Sequence, residues 1–500
     1  MERSSVSAAQ PHEQSLQRYV LLTVMLGTGT VSLNNSSFNP AIPHLMAYFQ
    51  VGEVWASWVV VAFLLAMSIS LPLAGFLSQR FGKRSIYLIA LLGFALASTA
   101  GGLFNQFESV LIARALQGFC SGLMIPLSLG LIFLVTPSEQ RGSTTGLWGA
   151  MIMLTLAVGP MLGALVLVWL NWKALFFINL PVACLALILG YVFLPKEQGD
   201  NKQEFDWAGF FFLGSSIVLL LGTLSQIHQI QDLFQPLYGA LLVLSVLLFI
   251  RFIFVQKNKS MPLIEPALFA TKGFRYSLVI CVAQTVGLFI GMLLIPLWIQ
   301  HLLKLSPLWT GFALMSSAVV TGICSQPAGK YLDRYGAAKI MSLGLMITVA
   351  SFLLLAWAPL QNVWFIVFCM ILHGLGMGLS YMPSTTAGLN SLRQQQQHLV
   401  TQAAALNNLF RRIFAAVAVV IAALYLQLRQ QSLPLNTQAI FTSFHTMQEI
   451  FVCCAILILC TLHFALCTLH FALCTLHFAL CTLPFAWRFP EQYRIDQLKK

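Results

Sequence analysis

The stretch Gly75-Phe-Leu-Ser-Gln-Arg-Phe-Gly82, followed by Lys83-Arg84, separates two long apolar runs. A looser copy, Gly329-Lys-Tyr-Leu-Asp-Arg-Tyr-Gly336, separates another two in the second half of the chain. Both copies keep glycine, arginine, an aromatic residue and glycine at the same offsets, but Gln79 in the first stands where Asp333 stands in the second. Two matching turns, one in each half, predict a membrane protein built from duplicated halves.

The composition excludes a water-soluble globule. Of the 500 residues, 58% are hydrophobic and 8% are charged, whereas soluble domains carry roughly 25% charged residues. Apolar runs of about 20 residues, each long enough to cross about 30 Å of hydrocarbon, recur along the chain. They predict an all-α polytopic membrane protein with fourteen spans. The first eighteen residues lack the pattern of a signal peptide, so we expect the first span to remain in the mature protein.

Lysine and arginine set the expected orientation, because basic residues favour the cytosolic side. With both termini in the cytosol, most of the 27 basic residues lie on that side. The exceptions are three residues in outside loops and three within spans: Lys173, Lys304, Arg429, Arg114, Arg411 and Arg412. The net charge of +12 then faces anionic lipid headgroups. A nucleic-acid partner has no soluble domain to bind, so we exclude it.

Two charged stretches, Pro195–Asp206 and Gln256–Lys272, are predicted to be cytosolic linkers around an inserted pair of spans at 207–226 and 236–256. The expected architecture is two six-helix bundles plus two inserted helices. The predicted divisions are a cytosolic tail (1–18), a first bundle (19–194), the linker with the inserted pair (195–272), a second bundle (273–487) and a cytosolic tail (488–500).

A perfect heptapeptide, Leu-His-Phe-Ala-Leu-Cys-Thr, occurs three times at 462–482. It lengthens the last span to about twice the hydrocarbon thickness, so tandem expansion of the coding sequence is the favoured explanation. The alternative is a metal stripe, since Cys460, His463 and Cys467 lie three and four residues apart on one helix face. Identical copies favour duplication, and we predict no metal site.

Four stretches together resemble the major facilitator superfamily, specifically its fourteen-span drug:proton antiporters of the EmrB/QacA type. They are the turn at Gly75–Arg84, Leu111–Gly118, Gly159–Gly163 and Leu33–Pro43. The resemblance implies a multidrug efflux transporter of a bacterial cytoplasmic (inner) membrane, with small molecules and protons as its ligands. It implies neither an enzyme nor a cofactor. Some members of this family deliver to a periplasmic adaptor, but no residue here identifies one.

The resemblance assigns gating to the repeated turn, where one bundle latches against the other. The physical alternative is that its bases only anchor the topology. The ten residues of the predicted gating loop are Gly75, Gln79, Arg80, Gly82, Lys83, Arg84, Gly329, Asp333, Arg334 and Gly336.

The predicted substrate cavity draws on polar residues within spans. Arg114 and Gln117 share a helix face, and a buried arginine needs water, a partner or substrate, unless it snorkels to the surface. Asn34 and Asn39 belong to a polar cluster in the first span that needs partners. Arg411 either reaches the cavity or lies near a helix start.

The antiporter motif Gly159-Pro160-x-x-Gly163 combines a helix-bending proline with glycines that permit close packing. This suits a rocking interface, although ordinary helix packing uses the same residues.

The family pattern breaks at the acids. The family usually has aspartate where this chain has Asn34, and Gln79 replaces the acid of the gating loop. No acid lies well inside a span. His373 is the one histidine at mid-membrane depth in the bundles, and it is the candidate for proton coupling. We therefore expect a proton-coupled exporter of hydrophobic or amphipathic compounds. The alternatives are an uncoupled facilitator, or a transport-dead receptor or scaffold on the same fold.

Overall fold

A computed structural model describes residues 10–197, 199, 204–227, 229–257, 259, 262–357, 362–392, 394–431 and 445–461. The heptapeptide repeat at 462–482, the predicted C-terminal tail at 488–500 and residues 1–9 of the predicted N-terminal tail (1–18) lie outside the described residues. The described part of the chain is helical, as the composition predicts.

The described residues of the first half form eight α-helices. They are α1 (Gln10–Ser37), α2 (Ile42–Phe49), α3 (Glu53–Phe81), α4 (Lys83–Leu103), α5 (Phe107–Val135), α6 (Arg141–Trp169), α7 (Ala174–Phe177) and α8 (Leu180–Phe193). Helix α1 ends before a 3₁₀ turn at Asn39–Ala41, because Pro40 has no N–H to continue the helix. The predicted first span, 19–42, is thus a longer helix that begins and ends earlier.

The remaining helices follow the linker at 195–206. They are α9 (Trp207–Leu224), α10 (Ile230–Leu233), α11 (Pro236–Lys257), α12 (Ala267–Ala270), α13 (Lys272–Pro296), α14 (Pro307–Tyr335), α15 (Ala337–Ala356), α16 (Val363–Asn390), α17 (Val400–Gln431) and α18 (His445–Thr461). A π-helical turn, Leu297–Leu302, extends α13.

Twelve helices of the described residues are long and apolar enough to cross a bilayer. Helices α1 and α18 are not among them. The polar residues of α1 lower its mean hydropathy, and the described part of α18 is only 17 residues long. Both helices lie where the sequence predicts a span, so the count of fourteen stays a prediction.

Helix packing divides the molecule into two halves. In the first half α5 packs against α3 and α4, and α1 packs against α6 and α8. In the second half α16 packs against α14, α15 and α13. The two halves meet mainly where α6 packs on α14 and α3 packs on α17. Helices α9 and α11 pack on each other, and α9 also packs on the side of α3.

Asp206 fixes the start of the inserted pair. As the N-cap of α9, its carboxylate accepts a hydrogen bond from Gly209 N at 2.8 Å. The same carboxylate accepts a bond from the Gln256 amide at 2.5 Å and forms an ion pair with Lys259. Because Gln256 lies in the last turn of α11 and Lys259 just beyond it, one buried acid ties together the two ends of the pair.

Candidate functional site

The two copies of the turn have similar backbone conformations. Each connects one long helix to the next through a single glycine: Gly82 joins α3 to α4, and Gly336 joins α14 to α15. Both glycines have φ of +82°, a conformation that is costly for residues with a side chain. The sequence repeat therefore encodes a repeated structure.

The first glycine of each copy allows a helix of the other half to approach. A methyl group at Gly75 would lie 2.9 Å from Gln402 Cβ, in the first turn of α17. A methyl group at Gly329 would collide with the backbone of Gly142, in the first turn of α6. Each turn thus faces the start of a helix in the opposite half.

Asp333 adds a charged contact to the second of these junctions. Its two carboxylate oxygens accept hydrogen bonds from Gly142 N and Ser143 N, each at 2.7 Å. Both N–H groups belong to the first turn of α6, where the helix dipole also favours a negative charge. Gln79, the corresponding residue of the first copy, is neutral. The difference seen in the sequence is therefore a difference between a charged and a neutral side chain at corresponding positions.

The basic residues of the first copy of the repeated turn contact groups of their own half. Arg80 lies over the rings of Phe76 and Phe81, with its guanidinium carbon 5.9 and 5.5 Å from their centroids. Lys83 forms an ion pair with Glu197 at 3.0 Å. Arg84 donates a hydrogen bond to the carbonyl oxygen of residue 191 at 2.5 Å. Arg334 of the second copy is exposed.

Glu197 was missed by the sequence reasoning. It lies in the first linker and supplies an acid to the turn that lacks one at position 79. No sequence signal links a linker residue to a turn more than a hundred positions earlier.

Further polar contacts join the halves at the same end of the molecule. Thr145 Oγ1 lies 2.5 Å from Thr386 Oγ1. Arg141 donates hydrogen bonds to Asn390 Oδ1 at 3.4 Å and to Gln397 Oε1 at 3.3 Å. These contacts, like those of Asp333, lie in the parts of α6, α14 and α16 nearest the repeated turns. The halves are therefore closed against each other at the end of the molecule that carries the two repeated turns, which we call the turn end.

Arg114 is fully buried in the first half. It donates hydrogen bonds to Asn34 Oδ1 at 2.5 Å, Gln117 Oε1 at 3.0 Å and the carbonyl oxygen of Val59 at 3.0 Å. Gln117 in turn donates to Ser98 Oγ at 2.7 Å. The partners are neutral, so the charge of Arg114 has hydrogen-bond acceptors but no counter-ion in this network.

Two aromatic rings complete the surroundings of Arg114. The guanidinium carbon lies 4.2 Å from the centroid of Phe38 and 4.3 Å from that of Phe63, both suitable for cation–π attraction. Arg114 Nη2 and Asn34 Nδ2 have no hydrogen-bond partner among the described residues. Arg114 is 0% exposed, so snorkelling does not explain it. Asn39 lies outside this network, exposed in the 3₁₀ turn.

Arg411 occupies the second half. It lies well inside α17, which begins at Val400, and this resolves the alternative that the helix starts near Arg412. Arg411 donates a hydrogen bond to Thr385 Oγ1, and its guanidinium carbon lies 4.2 Å from the Tyr381 ring centroid. Thr385 Oγ1 is also 3.5 Å from Cys281 Sγ. Arg411 Nε has no partner among the described residues.

His373 is buried between α14, α15 and α16. Its Nδ1 lies 3.1 Å from Ser317 Oγ, and its ring makes an edge contact with Phe352 at 5.2 Å between centroids. Its Nε2 has no partner among the described residues. The structure does not bring His373 next to Arg114 or Arg411 by any described contact.

The antiporter motif packs on α1 of its own half. A methyl group at Gly159 would collide with the Ser36 side chain, and one at Gly163 would collide with the backbone of Ser37. Pro160 lies inside α6 between them. These glycines hold α1 close to α6, so the described junction between halves uses the opposite end of α6.

Comparisons with known proteins agree with this architecture. Residues 24–419 match the family profile described as Major Facilitator Superfamily. The Escherichia coli uncharacterized transporter YebQ is 30% identical over 383 residues, which cover 76% of this chain and 83% of YebQ. Multidrug resistance protein 3 of Bacillus subtilis is 26% identical over 382 residues, covering 76% and 74% respectively.

A solved structure shows the same fold. The crystal structure of the human organic anion transporter MFSD10 (TETRAN) aligns with a TM-score of 0.63 at 16% identity, covering 88% of this chain and 99% of that one. The family match spans most of the chain, including both repeated turns. The chain therefore belongs to the major facilitator superfamily, a family of membrane transporters.

Proposed function

We propose that this protein is a secondary exporter of hydrophobic or amphipathic compounds that works by alternating access. The observation that carries the proposal is the junction at the turn end, where Asp333, Thr145 and Arg141 join the two halves. Hydrogen bonds between small polar groups can break and re-form, which a gate requires. Export is supported by the similarity to a relative named as a multidrug resistance protein.

The proposed transporter has the fourteen-span architecture that the sequence predicts. Two six-helix bundles, 19–194 and 273–487, rock against each other, with the inserted pair beside the first bundle and both termini in the cytosol of a bacterium. The positions of α1 and α18, at the first and last predicted spans, support fourteen spans. The bacterial sources of the two curated relatives support a bacterial cytoplasmic membrane.

The charges inside the helices favour neutral or anionic substrates over dicationic ones. Arg114 and Arg411 are buried within spanning helices. In the described part of the chain, the acids lie near helix ends or in connecting segments. Because an unpaired cation in a low-dielectric interior attracts anions and repels cations, a dication would bind unfavourably there.

Proton coupling, if it follows the family, uses a different group from the usual aspartate. Asn34 does not titrate and acts as a hydrogen-bond acceptor for Arg114. His373 is the proposed proton carrier, because its Nε2 has no hydrogen-bond partner among the described residues and an imidazole nitrogen can accept a proton. A facilitator without coupling is the second candidate, and a transport-dead receptor or scaffold is the third.

Inverted membrane vesicles distinguish these three functions. Three dyes serve as probes: fluorescein as an anion, Nile red as a neutral compound and propidium as a dication. A coupled exporter accumulates fluorescein or Nile red, and an uncoupler abolishes the accumulation. His373→Ala removes coupling, whereas the matched variant His398→Ala, in the 3₁₀ turn before α17, leaves it intact.

Other outcomes identify the alternatives. Dye movement down its concentration gradient that is unchanged by the uncoupler supports the facilitator. Dye binding to the purified protein without movement in proteoliposomes supports the receptor or scaffold. Accumulation of propidium in preference to the other dyes contradicts the proposed substrate class.

The variant Asn34→Asp tests the first-half network separately. It places an acid 2.5 Å from Arg114 without changing the shape of the side chain. If an ancestral coupling acid was lost here, the number of protons moved per dye molecule in proteoliposomes increases. An unchanged ratio excludes position 34 from coupling.

A further inference from the structure

The two copies of the turn differ in the residues after the second glycine. Gly82 precedes Lys83 and Arg84, whereas Gly336 precedes two alanines. Both turns have the same φ at glycine, so the geometry of the turn does not require the two bases. The bases of the first half therefore need an explanation of their own.

Arg84 lines a cavity of ≈ 860 Å³ at the turn end of α4 and α8. Its guanidinium is anchored at the Tyr191 backbone, and its Nε has no hydrogen-bond partner among the described residues. Ser85 and Lys196 add a hydroxyl and a second cation to the wall. This end of the cavity is suited to a phosphate group.

Among the described lining residues, the acid is Glu197, and it is already paired. Glu197 accepts hydrogen bonds from Lys83 Nζ at 3.0 and 3.1 Å, and its Oε2 lies 3.4 Å from Lys83 N. Glu197 therefore neutralises Lys83 and leaves the charges of Arg84 and Lys196 directed at the cavity.

An apolar groove of ≈ 450 Å³ continues from the cavity between α4 and α8. The two spaces share Leu88, Tyr191 and Val192 as lining residues. The remaining groove residues are Ile89, Leu92, Leu187 and Ile188, of which Ile89 is 64% and Ile188 is 63% exposed. From Arg84 to Leu92 the helix rises about 12 Å. That is most of one leaflet, which is about 15 Å of a 30 Å hydrocarbon core.

We propose that this composite site binds an anionic phospholipid. The headgroup phosphate binds Arg84 and Lys196, and an acyl chain lies in the groove between α4 and α8. Charge complementarity selects the headgroup, and the length and apolar lining of the groove select the chain. The site adjoins the Lys83–Glu197 ion pair of the first turn, so a bound lipid stabilises the turn that faces α17.

Native mass spectrometry of the purified full chain tests the site. The protein is titrated with phosphatidylglycerol or with phosphatidylcholine carrying the same acyl chains. We expect the wild type to retain phosphatidylglycerol at about tenfold lower lipid concentration, since each base near a charged headgroup contributes appreciably. The double variant Arg84→Gln/Lys196→Gln loses this preference, and Arg84→Lys keeps it.

A matched variant controls for general charge effects. Lys339→Gln removes one cation from the first turn of α15, the corresponding helix of the second half, and leaves the preference unchanged. Equal binding of the two lipids by the wild type overturns the proposal. So does an undiminished preference in the double variant. Displacement of phosphatidylglycerol by equimolar glycerol phosphate overturns the role of the groove.

Discussion

The contact between Asp333 and the start of α6 makes the sharpest prediction about the gate. Asp333→Asn keeps the shape of the side chain but removes its charge. Two backbone N–H groups at 2.7 Å then face a neutral amide, which has one acceptor oxygen instead of two. The state closed at the turn end loses stability relative to the state open there.

The magnitude can be worked out from the bonds lost. Hydrogen bonds to a charged group contribute about 1.5–3 kcal/mol, against about 0.5–1.5 kcal/mol for neutral pairs. Asn retains one neutral bond, and the half-buried position weakens the charge effect, so we expect a loss of about 2 kcal/mol. That loss shifts the equilibrium between closed and open forms by about 30-fold.

Distances between spin labels at positions 81 and 335 measure this equilibrium. These residues end α3 and α14, one in each half, and both are exposed. The spin labels are attached to genetically encoded keto amino acids. Thiol-directed labels would also react with the 11 native cysteines of the chain. We expect Asp333→Asn to add a longer distance to the distribution. Glu139→Gln, which removes a nearby charge without a bond across the junction, should not. Identical distributions in wild type and Asp333→Asn refute the latch.

Three further predictions concern one glycine of the junction and one buried acid. Gly329→Ala introduces a methyl group against the Gly142 backbone and should slow dye export at least tenfold, whereas Gly311→Ala, on the same helix with open space around it, should not. Asp206→Asn should lower the free energy of unfolding of the detergent-solubilised protein by about 1–3 kcal/mol at pH 7. Glu204→Gln, at an exposed position, should leave it unchanged. Burial raises the pKa of Asp206, but its bonds with Lys259 and two neighbouring N–H donors outweigh burial and hold the pKa below the ordinary 3.8. The stability difference between wild type and Asp206→Asn is therefore fully present above that pH and should shrink as the pH falls below it, and a difference that grows in acid contradicts the assignment.

The sequence predicted those features that depend on local pattern. Apolar runs of the right length located the helices, and the glycines at both turns located the two bends that share one backbone conformation. The shared helix face of Arg114 and Gln117, and their contact, could be predicted from helical spacing. Asp206 as a helix start could be predicted from the preference of acids for that position.

Contacts between distant segments could not be predicted in this way. Asp333 binds the start of α6 about 190 positions away, and Glu197 reaches back to Lys83 from a linker. Arg411 contacts Thr385 and Tyr381 on a neighbouring helix. Helical periodicity specifies which face a residue occupies but not which helix packs against that face.

The most direct test of alternating access is to lock the turn-end junction with a crosslink. Thr145 and Thr386 approach to 2.5 Å between hydroxyl oxygens, so cysteines at both positions can form a disulfide when the halves are closed there. Export is measured in inverted vesicles with whichever of the three dyes moves fastest, and the linked peptide is quantified by mass spectrometry. We expect that oxidation of Thr145→Cys/Thr386→Cys stops export and that a reductant restores it, while each single variant exports normally. Full export with the crosslink complete would contradict alternating access through this junction.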